Sequence, residues 1–154
     1  MKYQSIDALD EFSFGEAAIF DVDYCSSHLK FQLANVTILS SNTHNRDIMD
    51  MRTNDLILTF EEPEIVSIIE EGYKVYDANE VLIEEVPDKI LSKEEYATLF
   101  SSLPEALIYS IEVFSKDHCV INIDSTEEAN GYRIELSFKH SVAQWDRFLK
   151  KESC

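Results

Sequence analysis

Apolar and polar residues alternate along much of the chain, a pattern typical of β-strands with one buried face. The first such segment covers 18–24. Residues 28–39 alternate in the same way, but the phase changes near Ala34 and Asn35, which predicts a β-bulge there. Further strand patterns lie at 55–60, 73–76, 81–86, 106–115, 118–124 and 131–139. Short turns separate these segments, so we predict mainly antiparallel sheet of about six to eight strands.

Helical spacing of apolar residues occurs near both termini. A potential cap at Ser5 precedes apolar residues spaced by three, which predicts a short N-terminal helix. A capping box at Ser141 and Gln144 opens an apolar stripe, which predicts a C-terminal helix near 142–150. The inward positions of these helices would be Ile6, Leu9, Phe12, Val142, Trp145, Phe148 and Leu149. We therefore expect Trp145 to be buried where the last helix packs on the sheet.

The middle of the chain contains a third helical pattern and one ambiguous segment. Ser92 and Glu95 form a capping box and Pro104 ends the pattern, so we predict a helix near 93–103. Residues 64–71 combine helical spacing with β-branched side chains and stay open between helix and strand. The 154 residues contain no repeat or linker-like tract. We predict a single α+β domain.

The charge is more unusual than the hydrophobic pattern. Thirty acidic residues against thirteen basic ones give a net charge of −17. Such a field repels nucleic acid and anionic membranes and accelerates encounters with basic partners. Phosphate contacts need clustered Lys and Arg side chains, so we expect no direct binding of nucleic acid. The acidity either keeps the protein soluble or selects a basic protein partner.

The acidity is concentrated between 61 and 95. This segment holds twelve acids and three lysines, with tyrosines among them. Tyrosine offers apolar contact area at small entropic cost, so this mixture is typical of an interface as well as of a solvated face. The candidate partner-binding residues are Glu61, Glu62, Glu70, Glu71, Tyr73, Tyr76, Asp77, Glu80, Glu84 and Glu85.

Residues suited to catalysis are few. The four histidines have no metal-binding spacing, and no catalytic or phosphate-binding motif occurs, so we predict a protein that is not an enzyme and has no metal or cofactor. His118 and Cys119 are neighbours in a predicted strand and would point to opposite faces. The three cysteines form no C-x-x-C pair and no base is suitably placed beside them. We therefore expect free thiols of ordinary reactivity, with Cys154 reacting before Cys119.

The termini and the apolar runs predict a cytoplasmic protein. The first twelve residues contain no hydrophobic run of the kind that signal peptides have. No apolar stretch approaches the roughly 20 residues that span a bilayer. We expect no membrane partner.

In size, acidity and lack of catalytic motifs, the chain resembles bacterial immunity proteins, which are small cytoplasmic inhibitors of nuclease toxins. The resemblance is one of class and implies an antitoxin-type inhibitor that masks the basic cleft of a nuclease. A phage-type DNA mimic is a second binding hypothesis, which would need acids along an elongated face. The third hypothesis is a small enzyme or ligand-binding domain with a site near 42–47, favoured if a deep pocket converges on His44, Arg46 and Asp47.

Overall fold

The computed structural model describes residues 1–124 and 130–150. Strands make up 55% of it and helices 9%. The fold is therefore mostly β, with one α-helix in the described chain, and the prediction of an α+β domain with three helices is wrong. The predicted antiparallel pairing is found throughout, since every strand pair among the described residues is antiparallel.

Sixteen strands and one α-helix follow one another along the described chain. In order they are β1 (Tyr3–Ile6), β2 (Phe12–Ser13), β3 (Ala17–Tyr24), β4 (His28–Ala34), β5 (Val36–Ile38), β6 (Met51–Thr53), β7 (Leu56–Glu61), β8 (Glu64–Glu70), β9 (Tyr73–Tyr76), β10 (Leu82–Val86), β11 (Lys89–Ile90), α1 (Lys93–Ser102), β12 (Leu107–Ser115), β13 (His118–Ile123), β14 (Tyr132–Ser137), β15 (His140–Trp145) and β16 (Leu149–Lys150). The sequence predicted only about half of this number. Five of these strands have two or three residues and no readable periodicity, β1 and β15 lie in segments predicted as helices, and β8 lies in the segment left open.

Ten strands form one sheet in the order β1-β15-β7-β4-β3-β12-β13-β14-β8-β11. Its two halves meet at β3 and β12, which pair over only two residues each. A twisted sheet of this width tends to curl rather than stay open. Phe60 of β7 packs against Phe138, just beyond β14, with ring centroids 4.9 Å apart. Buried side chains from both halves join in a single hydrophobic core.

Helix α1 forms where the sequence predicts it. The capping box at its start is present, and the helix runs Lys93–Ser102. Its buried side chains are Tyr96, Leu99 and Phe100. Phe100 packs against Tyr24 of β3 with ring centroids 4.7 Å apart, so the helix is fixed against this strand.

The predicted C-terminal helix does not form, because 140–145 is strand β15 between β1 and β7. Ser141, Ala143 and Trp145 are buried, and the residues between them are half-buried. The same segment therefore fits both a strand period of two and a helical spacing. It forms a strand because β1 and β7 pair with the two edges of its backbone. The predicted burial of Trp145 is confirmed, since its side chain is 0% exposed.

The predicted N-terminal helix is also wrong. Strand β1 pairs with β15, so that Ser5 is buried and Ile6 is exposed. A left-handed Asp7, with φ of 55°, then ends the strand, and only Leu9–Glu11 forms one 3₁₀ turn. The Asp7 carboxylate accepts a hydrogen bond of 3.1 Å from the Ser141 N–H, which secures the strand to β15.

A smaller sheet has the order β16-β6-β5-β2. The phase change that predicted a bulge near Asn35 is where the chain leaves β4 of the large sheet for β5 of the small one. Asn35 is left-handed there, with φ of 59°. Trp145 of the large sheet meets Phe12 of the small sheet with ring centroids 5.5 Å apart, so the indole joins the two sheets.

Six non-glycine residues of the described chain adopt left-handed backbone conformations. Besides Asp7 and Asn35 they are Glu16, Glu62, Glu80 and Glu105. Asp and Asn tolerate this conformation because their short side chains bond locally, whereas glutamate has no such compensation. Glutamates therefore occupy corners where glycine would be less strained.

Candidate protein-binding site

The acidic segment forms a hairpin at the edge of the large sheet. Strands β9 and β10 pair with each other and, within the described chain, with no other strand. They connect β8 with β11, which are neighbours at the edge of the sheet. The strands predicted at 73–76 and 81–86 are confirmed as this hairpin, and the segment 64–71 that the sequence left open contains strand β8. The hairpin continues this strand pair beyond the sheet, and most of its side chains are exposed.

A close backbone contact fixes the base of the hairpin. The Gly72 N–H donates a hydrogen bond of 2.7 Å to the Asp88 carboxylate. A Cβ on Gly72 would lie 1.9 Å from the carbonyl oxygen of Val86 and 2.5 Å from the carbonyl carbon of Pro87. Only glycine fits such a close approach, so the hairpin leaves the sheet at a defined point.

The tip of the hairpin is fixed by Asp77. Its carboxylate accepts hydrogen bonds from the N–H groups of Asn79 at 2.8 Å and Val81 at 3.0 Å. Glu80 is left-handed in the same turn, with φ of 62°. Asp77, predicted as a partner-binding residue, is therefore engaged in building the turn.

Apolar side chains are exposed along the hairpin. The exposed fraction is 46% for Tyr73, 54% for Tyr76 and 62% for Ile83, and Val81 and Leu82 are exposed as well. The sequence identified the tyrosines but not the three aliphatic residues, whose pattern resembles that of a buried strand. The adjacent acids Glu84 and Glu85 indicated that these aliphatic residues are exposed, because two neighbouring charges leave neither face of β10 free of charge.

Charge and apolar surface occupy both faces of the hairpin. Directly opposed residues share a face, so Val75 lies beside Glu84 on one face and Lys74 beside Glu85 on the other. Lys74 and Glu85 form an exposed ion pair of 3.8 Å. The Tyr73 hydroxyl lies 3.4 Å from the Glu84 carboxylate. Among the described residues, the acids without a cation within ion-pair distance include Glu71, Glu80 and Glu84.

The ten predicted residues do not form one surface. Glu70 and Glu71 lie at the base of the hairpin, whereas Glu61 and Glu62 lie at the opposite end of β8, about 20 Å away along the strand. The Glu62 carboxylate lies 4.0 Å from the Lys139 ammonium group. The carbonyl oxygen of Glu61 accepts a hydrogen bond of 2.8 Å from the Lys139 N–H. These two glutamates therefore belong to a different part of the surface.

The polar loop 42–47 is held in place by two buried asparagines. The Asn42 amide donates to Ser5 Oγ at 3.1 Å. The Asn45 amide lies 3.1–3.2 Å from three backbone carbonyl oxygens. The loop lines an open groove of about 430 Å³ together with Tyr3, Met51 and Phe148. His44, Arg46 and Asp47 all line this groove, which is open rather than the deep pocket that would favour the ligand-binding hypothesis.

His118 and Cys119 point to opposite faces, as predicted. His118 Nε2 lies 2.9 Å from the Glu135 carboxylate on the neighbouring strand. Cys119 is buried in the core, and burial raises the pKa of its thiol to about 12. The two side chains therefore form no nucleophile–base pair.

In the part of the chain that the structure describes, no helix is long and apolar enough to cross a membrane. No known protein family matches the sequence. Neither the curated proteins nor the solved structures contain a significant match to the chain.

Proposed function

We propose that this protein is a non-enzymatic inhibitor that uses the β9–β10 hairpin to mask a basic partner, in the manner of an immunity or antitoxin protein acting on a nuclease toxin. One observation carries the proposal: a single exposed hairpin combines unpaired acids with tyrosine and aliphatic side chains that the core does not use. Neither solubility nor folding requires exposed Tyr76 and Ile83 at that place.

The shape of the hairpin suits a cleft. Two short antiparallel strands make a ribbon about 17 Å long with backbones about 5 Å apart. A nuclease needs a basic cleft for the phosphates of its substrate. The carboxylates of the hairpin would speed the encounter with such a cleft, and the tyrosines would hold the complex once water is excluded.

Affinity capture from an extract of the native cell tests the proposal. The bait is the tagged full chain, and the expected catch is one protein with a basic domain. The matched control is a bait carrying Glu16→Lys and Asp21→Lys, which changes the charge by the same amount as Glu84→Lys with Glu85→Lys. Three strands separate β3 from β8 in the sheet, and both control residues lie at or beside β3, so the control alters a different part of the surface.

The two baits separate the possible outcomes. Loss of the partner with the hairpin variant and its retention with the control support the proposal. Equal loss with both baits indicates attraction by net charge alone and contradicts a hairpin site. Capture of many DNA-binding proteins by both wild type and variants favours the DNA mimic instead.

The groove beside the loop 42–47 supports a second candidate, a small-ligand-binding domain. Its specific observation is that His44, Arg46 and Asp47 line one open groove together with the aromatic side chains of Tyr3 and Phe148. A thermal-shift screen with anionic and aromatic metabolites tests this function. A ligand that raises the melting temperature of wild type but not of Arg46→Ala would favour it over the inhibitor.

A further inference from the structure

The turn between β3 and β4 brings together a cysteine, a histidine and an aspartate. Cys25 Sγ lies 3.6 Å from His28 Nδ1, and His28 Nε2 lies 2.8 Å from the Asp23 carboxylate. Ser27 Oγ lies 3.2 Å from Cys25 Sγ and 3.5 Å from His28 Nδ1. A nucleophile within reach of a base, and a base oriented by an acid, is the arrangement that activates thiols.

Local backbone geometry builds this cluster. The Cys25 N–H donates to the His28 carbonyl oxygen at 2.9 Å, which sets residues three apart side by side. The Glu62 N–H donates to the Ser27 carbonyl oxygen at 2.9 Å, which ties the turn to the next connection. The sequence carried the signal, a cysteine three residues before a histidine across a predicted turn. The expectation that no base is suitably placed is therefore wrong for Cys25, because His28 Nδ1 lies 3.6 Å from its sulfur.

The surroundings favour the thiolate. Cys25 is exposed. A hydrogen bond with the Ser27 hydroxyl, backbone hydrogen bonds from Ser27 and His28, and the nearby imidazole hold the pKa of the Cys25 thiol below its ordinary value. Cross-strand neighbours place Glu61 beside His28 and Lys30 beside Asp23.

The geometry also indicates which chemistry the cluster suits. Asp23 and Cys25 contact opposite nitrogens of the His28 ring. This arrangement does not bring the two side chains together on one metal ion. It suits proton transfer from the thiol to one ring nitrogen while Asp23 holds the other. In the neutral ring, Nε2–H donates to Asp23 and the lone pair of Nδ1 accepts from the thiol.

We propose that Cys25 is a nucleophilic thiol and a site of S-thiolation by low-molecular-weight disulfides. The Sγ proton passes to His28 Nδ1, and Asp23 stabilises the imidazolium at Nε2. The thiolate attacks one sulfur of the disulfide, so that a new S–S bond forms as the old one breaks. The departing thiolate then takes the proton from His28. The disulfide is the only oxidant that this exchange needs, and the step does not depend on the proposed inhibitor function.

The test measures the rate of thiol exchange in the folded protein. Cys154→Ser serves as the background, so that Cys25 and Cys119 are the remaining thiols. The probes are an aromatic disulfide that releases a coloured thiolate and, separately, oxidised glutathione, with the modified peptide identified by mass spectrometry. We expect folded Cys25 to react on the order of tenfold faster than the same residue in urea-unfolded protein at neutral pH. Cys119 should stay unmodified until the protein unfolds.

Variants of the base distinguish activation from mere exposure. His28→Gln should lower the rate clearly, although the hydrogen bonds from Ser27 and the backbone remain, and Asp23→Asn should lower it by less. His118→Gln is the matched control, because it removes another carboxylate-bound histidine and should leave the Cys25 rate unchanged. If the fluorescence of Trp145 shows that His28→Gln has not folded, Ser27→Ala and Asp23→Asn decide the question. Equal rates in folded and unfolded protein, or an unchanged rate in these variants, would overturn the proposal.

Discussion

The amide of Gly72 and the carboxylate of Asp88 meet at 2.7 Å across the base of the β9–β10 hairpin. Gly72→Ala would place a Cβ within 1.9 Å of the Val86 carbonyl oxygen, so the base must open. We expect a loss of about 1–3 kcal/mol, as for other overpacked sites. Hydrogen exchange should show faster exchange confined to the hairpin.

Gly15→Ala is the control for this change. Its added Cβ would meet only the Tyr109 carbonyl oxygen, at 3.4 Å, which neighbouring groups can accommodate. Exchange rates in the hairpin should not change. Uniform acceleration across the large sheet in Gly72→Ala would show that the hairpin is part of the cooperative core, contrary to the expectation.

Trp145→Ala tests the junction of the two sheets. The indole is fully buried and contacts Tyr3, Phe12 and Phe148. Removing it should cost about 3–5 kcal/mol in the free energy of unfolding, measured in denaturant. Truncating the exposed Tyr109, which sits on β12, should change the same quantity by less than about 0.5 kcal/mol. Similar effects of the two substitutions would contradict the packing described for Trp145.

We expect the buried thiol of Cys119 to make the protein less stable at alkaline pH. Burial raises the pKa of its thiol from 9.0 to about 12, so the unfolded chain releases this proton first as the pH rises. The contribution of the protonated thiol to the free energy of unfolding is therefore complete below pH 9.0 and is lost between pH 9.0 and about 12. The slope attributable to one proton is at most about 1.4 kcal/mol per pH unit.

The measurement compares wild type with Cys119→Ala across that range. Burial also raises the pKa values of Tyr96 and Tyr132, and both proteins share that contribution. The free energy of unfolding should fall less steeply with pH in Cys119→Ala. Parallel curves would show that the thiol ionises alike in the folded and unfolded states.

The hairpin acids and tyrosines should affect binding kinetics differently once a basic partner is known. Glu84→Lys with Glu85→Lys should slow association, most strongly at low salt, because the attraction is screened over about 8 Å at physiological ionic strength. Tyr76→Ala should instead raise the dissociation rate. Surface-binding kinetics at several salt concentrations separate the two effects. Association that does not depend on salt would remove the acids from the mechanism.

Strands were predictable where apolar and polar residues alternate or where turn residues separate two apolar runs. The hairpins β12–β13 and β9–β10, and the capped helix α1, follow from period and cap residues alone. The strand around Trp145 could not be predicted in this way, because the apolar residues of that segment fit both the helical and the strand period. Only pairing with β1 and β7, contacts distant in sequence, decides between them.

The candidate sites were predictable to a similar extent. Composition located the acidic hairpin, but Glu61 and Glu62 lie near it only in sequence, since β8 carries the chain away from them. The order of the loop 42–47 depends on Asn42 and Asn45, which are buried despite their polarity because carbonyl groups and Ser5 satisfy their amides. Burial of a polar residue of this kind depends on partners that only the fold supplies.

The left-handed glutamates bear on the origin of the acidity. Each of Glu16, Glu62, Glu80 and Glu105 holds a conformation that costs an L-residue roughly 1–2 kcal/mol. Glycine at these corners would relieve that strain and leave four fewer negative charges on the surface. These four negative charges therefore stand at corners where the backbone conformation is unfavourable for the residue that carries them.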